Sequence, residues 1–124
     1  MGAHASSAGV QRAGCMALIN LAAENSNNKE VIAAKGGIEA VVEAMAAYES
    51  NAGVQEVGCW ALGNIASWES GLTSHVRETD AVPLVKKALS AFPYDWSLQL
   101  HGRFLLLKLD ARYMLRFWWG GGGR

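Results

Sequence analysis

The chain has 124 residues, enough for one small domain, and 51% of them are hydrophobic. Its 11 Lys and Arg residues balance its 11 Asp and Glu residues, so it lacks the basic excess with which nucleic-acid-binding proteins neutralise phosphates, and we predict no nucleic-acid partner. The absence of an 18-residue apolar run predicts no membrane-spanning helix. Two cysteines are typical of thiols in a reducing compartment, so we expect a cytoplasmic or nuclear protein.

Apolar residues recur three or four positions apart between breaks at Gly and Pro, which predicts helices throughout and no strand. The helices predicted in chain order cover about residues 8–23, 28–35, 38–48, 52–67, 73–79, 81–91 and 96–118. Gly36 and Gly37 separate the second helix from the third. Pro83 falls in the first turn of the sixth helix, where its missing N–H costs little.

The sequence repeats itself with a period of 44 residues. Residues 8–22 and residues 52–66 are identical at ten of fifteen positions. The same offset of 44 residues aligns a third, divergent copy after residue 95. A period of 44 lies inside the roughly 40–47 residues typical of helical solenoid arrays. We therefore predict an array in which long helices from successive copies stack side by side.

Each long helix follows a residue whose side-chain oxygen can cap it. Ser7, Asn51 and Asp95 are spaced 44 apart. Each can accept a hydrogen bond from the free backbone N–H groups of the first helical turn. Three different residues with one shared chemistry predict where the long helix begins in every copy.

The layout of these elements resembles the armadillo family, in which a short helix, a Gly break and a second helix precede a long helix ending A-L-x-N-[IL]-A. Residues 60–66 read WALGNIA, similar to the W-A-L-x-N-[IV]-A segment of importin-alpha-type repeats. The pattern V-Q-E-x-G-C-x-A-L-x-N at residues 54–64 resembles a variant in armadillo regions of assorted eukaryotic proteins. The resemblance covers roughly residues 1–110. It implies an all-α, right-handed superhelical solenoid of about two and a half repeats.

The resemblance also implies a binding surface. In such families the long helix of each repeat lines the concave face, its Asn pairs with the backbone of an extended partner peptide, and neighbouring Trp rings form slots. Asn20 and Asn64 match the Asn position, and Trp60 matches the Trp position. The implied partner is a protein or an extended peptide.

The repeat places matching residues of the three long helices in rows, because units that stack at 44-residue intervals align equivalent faces. The rows are Arg12/Glu56/Leu100, Met16/Trp60/Phe104 and Asn20/Asn64/Lys108. All of these except Leu100 are candidate partner-binding residues, since apolar anchors beside amide groups suit a peptide groove. A second interpretation stays open, in which the Asn side chains bridge adjacent repeats and Trp60 is packed inside the solenoid.

No catalytic, metal or cofactor site is predicted. Cys15 and Cys59 share one register, and neighbouring helices pack about 8–10 Å apart, too far for a disulfide, so we predict small core residues. His4, His75 and His101 lie in three different settings without thiols or carboxylates at ligand spacing. Since no Ser/His/Asp or Cys/His constellation is suggested, we predict that the protein is not an enzyme and has no cofactor.

Residues 105–119 abandon the repeat pattern. On a helix, Lys108, Arg112 and Arg116 form one basic stripe, and apolar residues cover most of the remainder. Three interpretations stay open: a divergent helix that closes the last repeat, an interfacial membrane helix, and an unstable or mis-translated end without a selected function.

We predict one armadillo-like domain over residues 1–118 and a Gly-rich tail over 119–124. The parts of the domain are a long helix at 8–23, a full repeat at 28–67 and a divergent repeat at 73–118. The first long helix lacks repeat partners of its own, and we expect some of its apolar side chains to be uncovered, namely among Val10, Ala13, Leu18 and Leu21. Because about three repeats are needed for a stable array, we expect a fragment, a truncated product or a module that self-associates through uncapped ends.

Overall fold

The computed structural model describes residues 7–24, 26–66 and 71–110. Every regular element in these ranges is a helix, which confirms the all-α prediction. The helices are α1 (Ala8–Glu24), α2 (Ser26–Ala34), α3 (Gly37–Ala47), α4 (Ala52–Ile65), α5 (Gly71–Arg77), α6 (Ala81–Ala91) and α7 (Trp96–Leu109). Among the described residues, no helix is both long enough and apolar enough to cross a membrane.

The three long helices α1, α4 and α7 form one layer, with α1 packed along α4 and α4 packed along α7. The shorter helices α2 and α3, then α5 and α6, connect them and cover the layer. Equivalent positions of successive copies are buried together, as in the pairs Leu62/Leu106 and Ile65/Leu109. Burial of apolar side chains between neighbouring helices therefore stabilises the stack.

All three predicted N-caps are present. The Ser7 hydroxyl accepts from Val10 N at 3.3 Å. The carboxamide oxygen of Asn51 and a carboxylate oxygen of Asp95 accept from the backbone N–H three residues later, at 3.0 and 3.1 Å. Each long helix thus begins where a side-chain oxygen satisfies a first-turn donor.

A glutamine in the first turn of the long helix closes the end of the helix before it. The Gln55 amide donates to Met45 O at 3.0 Å and to Tyr48 O at 2.8 Å, at the end of α3. Gln99, 44 residues later, donates in the same way to two carbonyls at the end of α6, both at 3.0 Å. These bonds fix the angle between the two helices of each unit because they satisfy carbonyls that a helix end leaves open.

Glycine permits close approach between the same helices. A Cβ at Gly58 would lie 2.6 Å from Cγ of Met45, and one at Gly102 would lie 2.8 Å from Cδ2 of Leu89. The predicted break between α2 and α3 depends on Gly36, whose φ of 84° is left-handed. A side chain at that position would be strained.

The last helix is shorter than predicted. α7 ends at Leu109, whereas the sequence predicted a helix to about residue 118; Asp110 is extended, with φ −128° and ψ 102°. Tertiary contacts hold this end: Arg77 donates to Leu109 O at 2.8 Å, and Lys86 pairs with the Asp110 carboxylate at 3.0 Å. Periodicity could not reveal these contacts. The remainder of the predicted helix, the basic stripe beyond Lys108 and the Gly-rich tail lie outside the described residues.

The outer face of α1 is partly uncovered, as expected. Val10 is 38% exposed and Leu21 is 51% exposed, although their equivalents in α4, Val54 and Ile65, are fully buried. Leu18, by contrast, packs against the core. Among the described helices, α4 is therefore covered on both sides and α1 on one.

Candidate functional site

Residues from two of the rows predicted from the repeat line a cavity between α4 and α7. Trp60, Asn64 and Phe104 line one cavity of about 150 Å³, together with residues that the sequence analysis had not grouped with them. The further lining residues are Cys59, Gly63 and His101. Trp60 and Asn64 face the same cavity because they lie four residues apart on one helix.

A ring stack forms one wall of this cavity. The rings of Trp60 and His101 lie 4.6 Å apart between centroids and are inclined by 12°. The stack joins α4 to α7, and offset stacking of this kind adds stabilisation beyond simple burial. From the sequence, His101 was considered only as a metal ligand, and its stacking role was missed. A signal was available, since His101 stands 44 residues after Val57, where the earlier copy has an apolar residue.

Asn64 and Lys108 both bridge neighbouring long helices. The Asn64 amide donates to Ile19 O at 3.3 Å, and the Lys108 ammonium donates to Gly63 O at 2.8 Å. This is the bridge that the second interpretation assigned to the Asn side chains. For Asn64 it uses the amide nitrogen, and its carboxamide oxygen accepts no hydrogen bond from the described residues.

The Asn positions lie on the same side of the stack. Asn64 contacts the carbonyl of Ile19, the residue directly before Asn20. Asn20 itself is exposed on α1, and no described helix lies beyond it. The row Asn20, Asn64 and Lys108 therefore crosses three adjacent helices.

Lys108 brings a positive charge to the edge of the cavity. Its ammonium lies 4.9 Å from the centroid of the Phe104 ring, within the range of a cation–π interaction. Partial burial lowers its pKa from the ordinary value, and the nearby charge of Lys29 lowers that pKa further. The cavity is thus lined by the two stacked rings, the Phe104 ring and one amide, and the Lys108 ammonium contacts two of the lining residues, Gly63 and Phe104.

The remaining predicted residues extend this surface toward α1. Arg12 is exposed, and its side chain lies 3.4 Å from the position that a Cβ of Gly53 would take, so it crosses to the first turn of α4. Met16 is half-buried and packs against the core, and Glu56 is half-buried on α4. The structure places none of these three in the cavity itself.

The two cysteines are buried and free, in agreement with the predicted core positions. Burial raises the pKa of Cys15 to about 11. Burial, with a smaller contribution from the charge of Glu56, raises the pKa of Cys59 to about 12. Both thiols are therefore protonated at neutral pH and poor nucleophiles. The described residues contain no group of three or more His, Cys, Asp or Glu side chains that could hold a metal ion.

Helices stacked in a 44-residue register, with glutamines, caps and glycines at equivalent places, define a helical-repeat protein. Residues 25–67 match the family model of the Armadillo/beta-catenin-like repeat. This segment contains α2, α3 and α4, so the chain contains one complete armadillo repeat. Armadillo-repeat proteins are generally non-enzymatic scaffolds for protein interaction. The searches of curated proteins and of solved structures give no match.

Proposed function

We propose that this chain is a non-enzymatic interaction module that binds an extended peptide across the rows of α1, α4 and α7. The observation that carries the proposal is the cavity of about 150 Å³ lined by Trp60, Asn64 and Phe104. These residues come from two different repeats, and the sequence alone predicts all three as partner-binding residues. The cavity is small enough to take a single side chain of a partner.

The walls of the cavity favour binding because they are held in place before a partner arrives. The stack of Trp60 on His101 and the bridge from Asn64 to Ile19 O fix two of the lining side chains. A preformed slot loses little conformational entropy when it is filled. The carboxamide oxygen of Asn64 can then accept from a backbone N–H of the partner, the usual way in which extended peptides are held.

The exposed residues of α1 extend the proposed groove. Arg12 and Asn20 are exposed and Met16 is half-buried, in register with the residues of α4. Helices packed about 8–10 Å apart give three rows a width of roughly 20 Å. An extended peptide rises about 3.3 Å per residue, so roughly six residues would cross all three helices.

A structural or truncated repeat segment without a dedicated ligand is the second candidate function. The observation in its favour is that Asn64 and Lys108 each donate a hydrogen bond to a backbone carbonyl of the neighbouring long helix. In that case the rows hold the stack together and select no partner. The two candidates differ in whether the chain binds a peptide through Trp60 and Asn64.

Panning of the full chain against a displayed library of random twelve-residue peptides tests the proposal. We expect enriched peptides whose affinity falls at least tenfold for the Trp60→Ala/Asn64→Ala double variant, while Tyr94→Ala, altered at a 96% exposed ring outside the groove, binds like the wild type. Circular dichroism establishes that the double variant is folded. Failure to enrich any peptide, or enriched peptides that bind the folded double variant equally well, would favour the structural candidate.

A further inference from the structure

The last helix presents a contiguous apolar stripe to solvent. Trp96 is 78% exposed, Leu100 is 54% exposed and Phe104 is 52% exposed. They lie four residues apart on α7, so they share one face of the helix. Exposed aromatic residues in a contiguous patch are typical of interaction surfaces.

The position through which the earlier long helices pack on each other is not apolar in α7. Cys59 lines the cavity between α4 and α7, and its equivalent in α1 is the buried Cys15. The same register on α7 holds Arg103, an exposed side chain whose Nε donates to Gln99 Oε1 at 3.1 Å. A further long helix in this register would have to cover a guanidinium group where earlier contacts bury a thiol, which is costly.

We propose that the stripe is the contact surface for a second copy of this chain, with the two α7 helices antiparallel and a twofold axis at Leu100. A twofold contact requires a self-complementary surface. The stripe is symmetric about Leu100, with one aromatic residue four positions before it and one four positions after it. In the antiparallel pair Trp96 meets Phe104 of the partner copy, and the two Leu100 side chains meet on the axis.

Charge is compatible with this arrangement. In the antiparallel pair, a residue n positions after Leu100 faces the residue n positions before Leu100 in the partner copy. Arg103 therefore faces Ser97 of the partner copy. The two Arg103 side chains are offset by six residues, about 9 Å along the helix axis. The two Lys108 side chains are offset by about 24 Å on the same basis. No pair of like charges is therefore brought face to face.

The available area suits a dimer of modest affinity. With side chains of about 150–250 Å², the exposed parts of Trp96, Leu100 and Phe104 sum to roughly 400 Å² per copy, or about 800 Å² across two copies, the size of a weak, transient contact. Tyr94, which is 96% exposed beside the start of α7, adds to the rim. The stripe shares Phe104 with the cavity, so a bound peptide and the partner copy compete there, whereas Leu100, on the proposed axis, does not line the cavity.

Sedimentation equilibrium of the full chain up to about 200 µM measures the association directly, in the range of weak to moderate affinity. We expect the wild type to form dimers and no larger species, and Leu100→Glu to be monomeric. The matched control is Val31→Glu, which places the same charge at a 50% exposed apolar residue of α2 and should dimerise normally. A monomeric wild type, open-ended growth, or equal dissociation of both variants would overturn the proposal.

Oxidative cross-linking tests the position of the axis. A residue on a twofold axis meets its own counterpart, so Leu100→Cys should form a disulfide-linked dimer under mild oxidation. Trp96→Cys is the control, because its counterpart in the pair lies eight residues away, about 12 Å along the axis. The native thiols of Cys15 and Cys59 are fully buried and remain unlinked. Equal cross-linking of both variants, or none for Leu100→Cys, contradicts the geometry.

Discussion

Lys108 reproduces with an ammonium group the bridge that Asn64 makes with an amide. Asn64 donates to Ile19 O at 3.3 Å and Lys108 donates to Gly63 O at 2.8 Å. The two acceptors are themselves 44 residues apart. The third copy has therefore changed the residue and kept the contact, so the bridge between long helices belongs to the repeat rather than to one side chain.

Replacing Lys108 tests the value of this bridge. We expect Lys108→Asn, which restores the residue of the second copy, to keep the free energy of unfolding within about 0.5 kcal/mol of the wild type. Lys108→Met should lower it by about 1 kcal/mol, since Gly63 O loses a charged donor while the apolar stem is kept. Urea unfolding monitored by circular dichroism measures both values. Equal losses for the two variants would show that the bridge contributes nothing specific.

The same lysine gives a dependence on pH. Its pKa is lowered in the folded state by burial and by Lys29, so the unfolded chain binds more protons between the folded and the unfolded pKa. The contribution of Lys108 to stability therefore rises as pH increases through that interval. Comparison of the wild type with Lys108→Met from pH 8 to pH 10.5 should show a smaller rise for the variant. A larger rise would contradict the lowered pKa.

Gln55 should stabilise the angle between α3 and α4. It is 1% exposed and donates to two carbonyls at the end of α3. We expect Gln55→Met, similar in size but without the amide, to lower the free energy of unfolding by roughly 2 kcal/mol, because one buried and one part-buried acceptor lose their donor. The control is Gln99→Met in the equivalent place. Gln99 is half-buried, so water can replace the donor and the loss should be smaller. The opposite order would refute burial as the cause.

The order of the helices, their capping residues and the register of the repeat could be predicted because each is encoded by neighbouring residues. Asn51 caps α4 through a residue three positions away, and a period of 44 is visible in the letters alone. The end of α7 was predicted too late because the apolar run of residues 105–119 was interpreted as a continued helix, although α4 ends at Ile65, 44 residues before Leu109. The cavity was predicted in part: Trp60, Asn64 and Phe104 were named, and His101 was missed because it was considered only as a metal ligand.

Two glycines of α4 should respond oppositely to the same substitution. A Cβ at Gly58 would come within 2.6 Å of Met45 Cγ, whereas a Cβ at Gly63 would meet nothing within 4 Å. We expect Gly58→Ala to lower stability by roughly 1–2 kcal/mol through overpacking that exceeds the gain in helix propensity. Gly63→Ala should raise stability by about 0.5 kcal/mol through propensity alone. Thermal unfolding of the two variants measures the contrast, and a stabilised Gly58→Ala would mean that Met45 yields without cost.

The buried thiols should report how often the stack opens. Because the pKa is about 11 for Cys15 and about 12 for Cys59, their thiolate fractions at pH 8 are small. A rise of about 2.5 pKa units above an ordinary thiol lowers the thiolate fraction roughly 300-fold. We therefore expect iodoacetamide at pH 8 to label the native chain at least 100-fold more slowly than the chain in urea. Mass spectrometry of tryptic peptides separates the two sites, and Cys59 should be the slower. Native labelling as fast as that of the unfolded chain would mean that α1, α4 and α7 separate readily, and the fixed cavity on which the proposed groove depends would be lost with them.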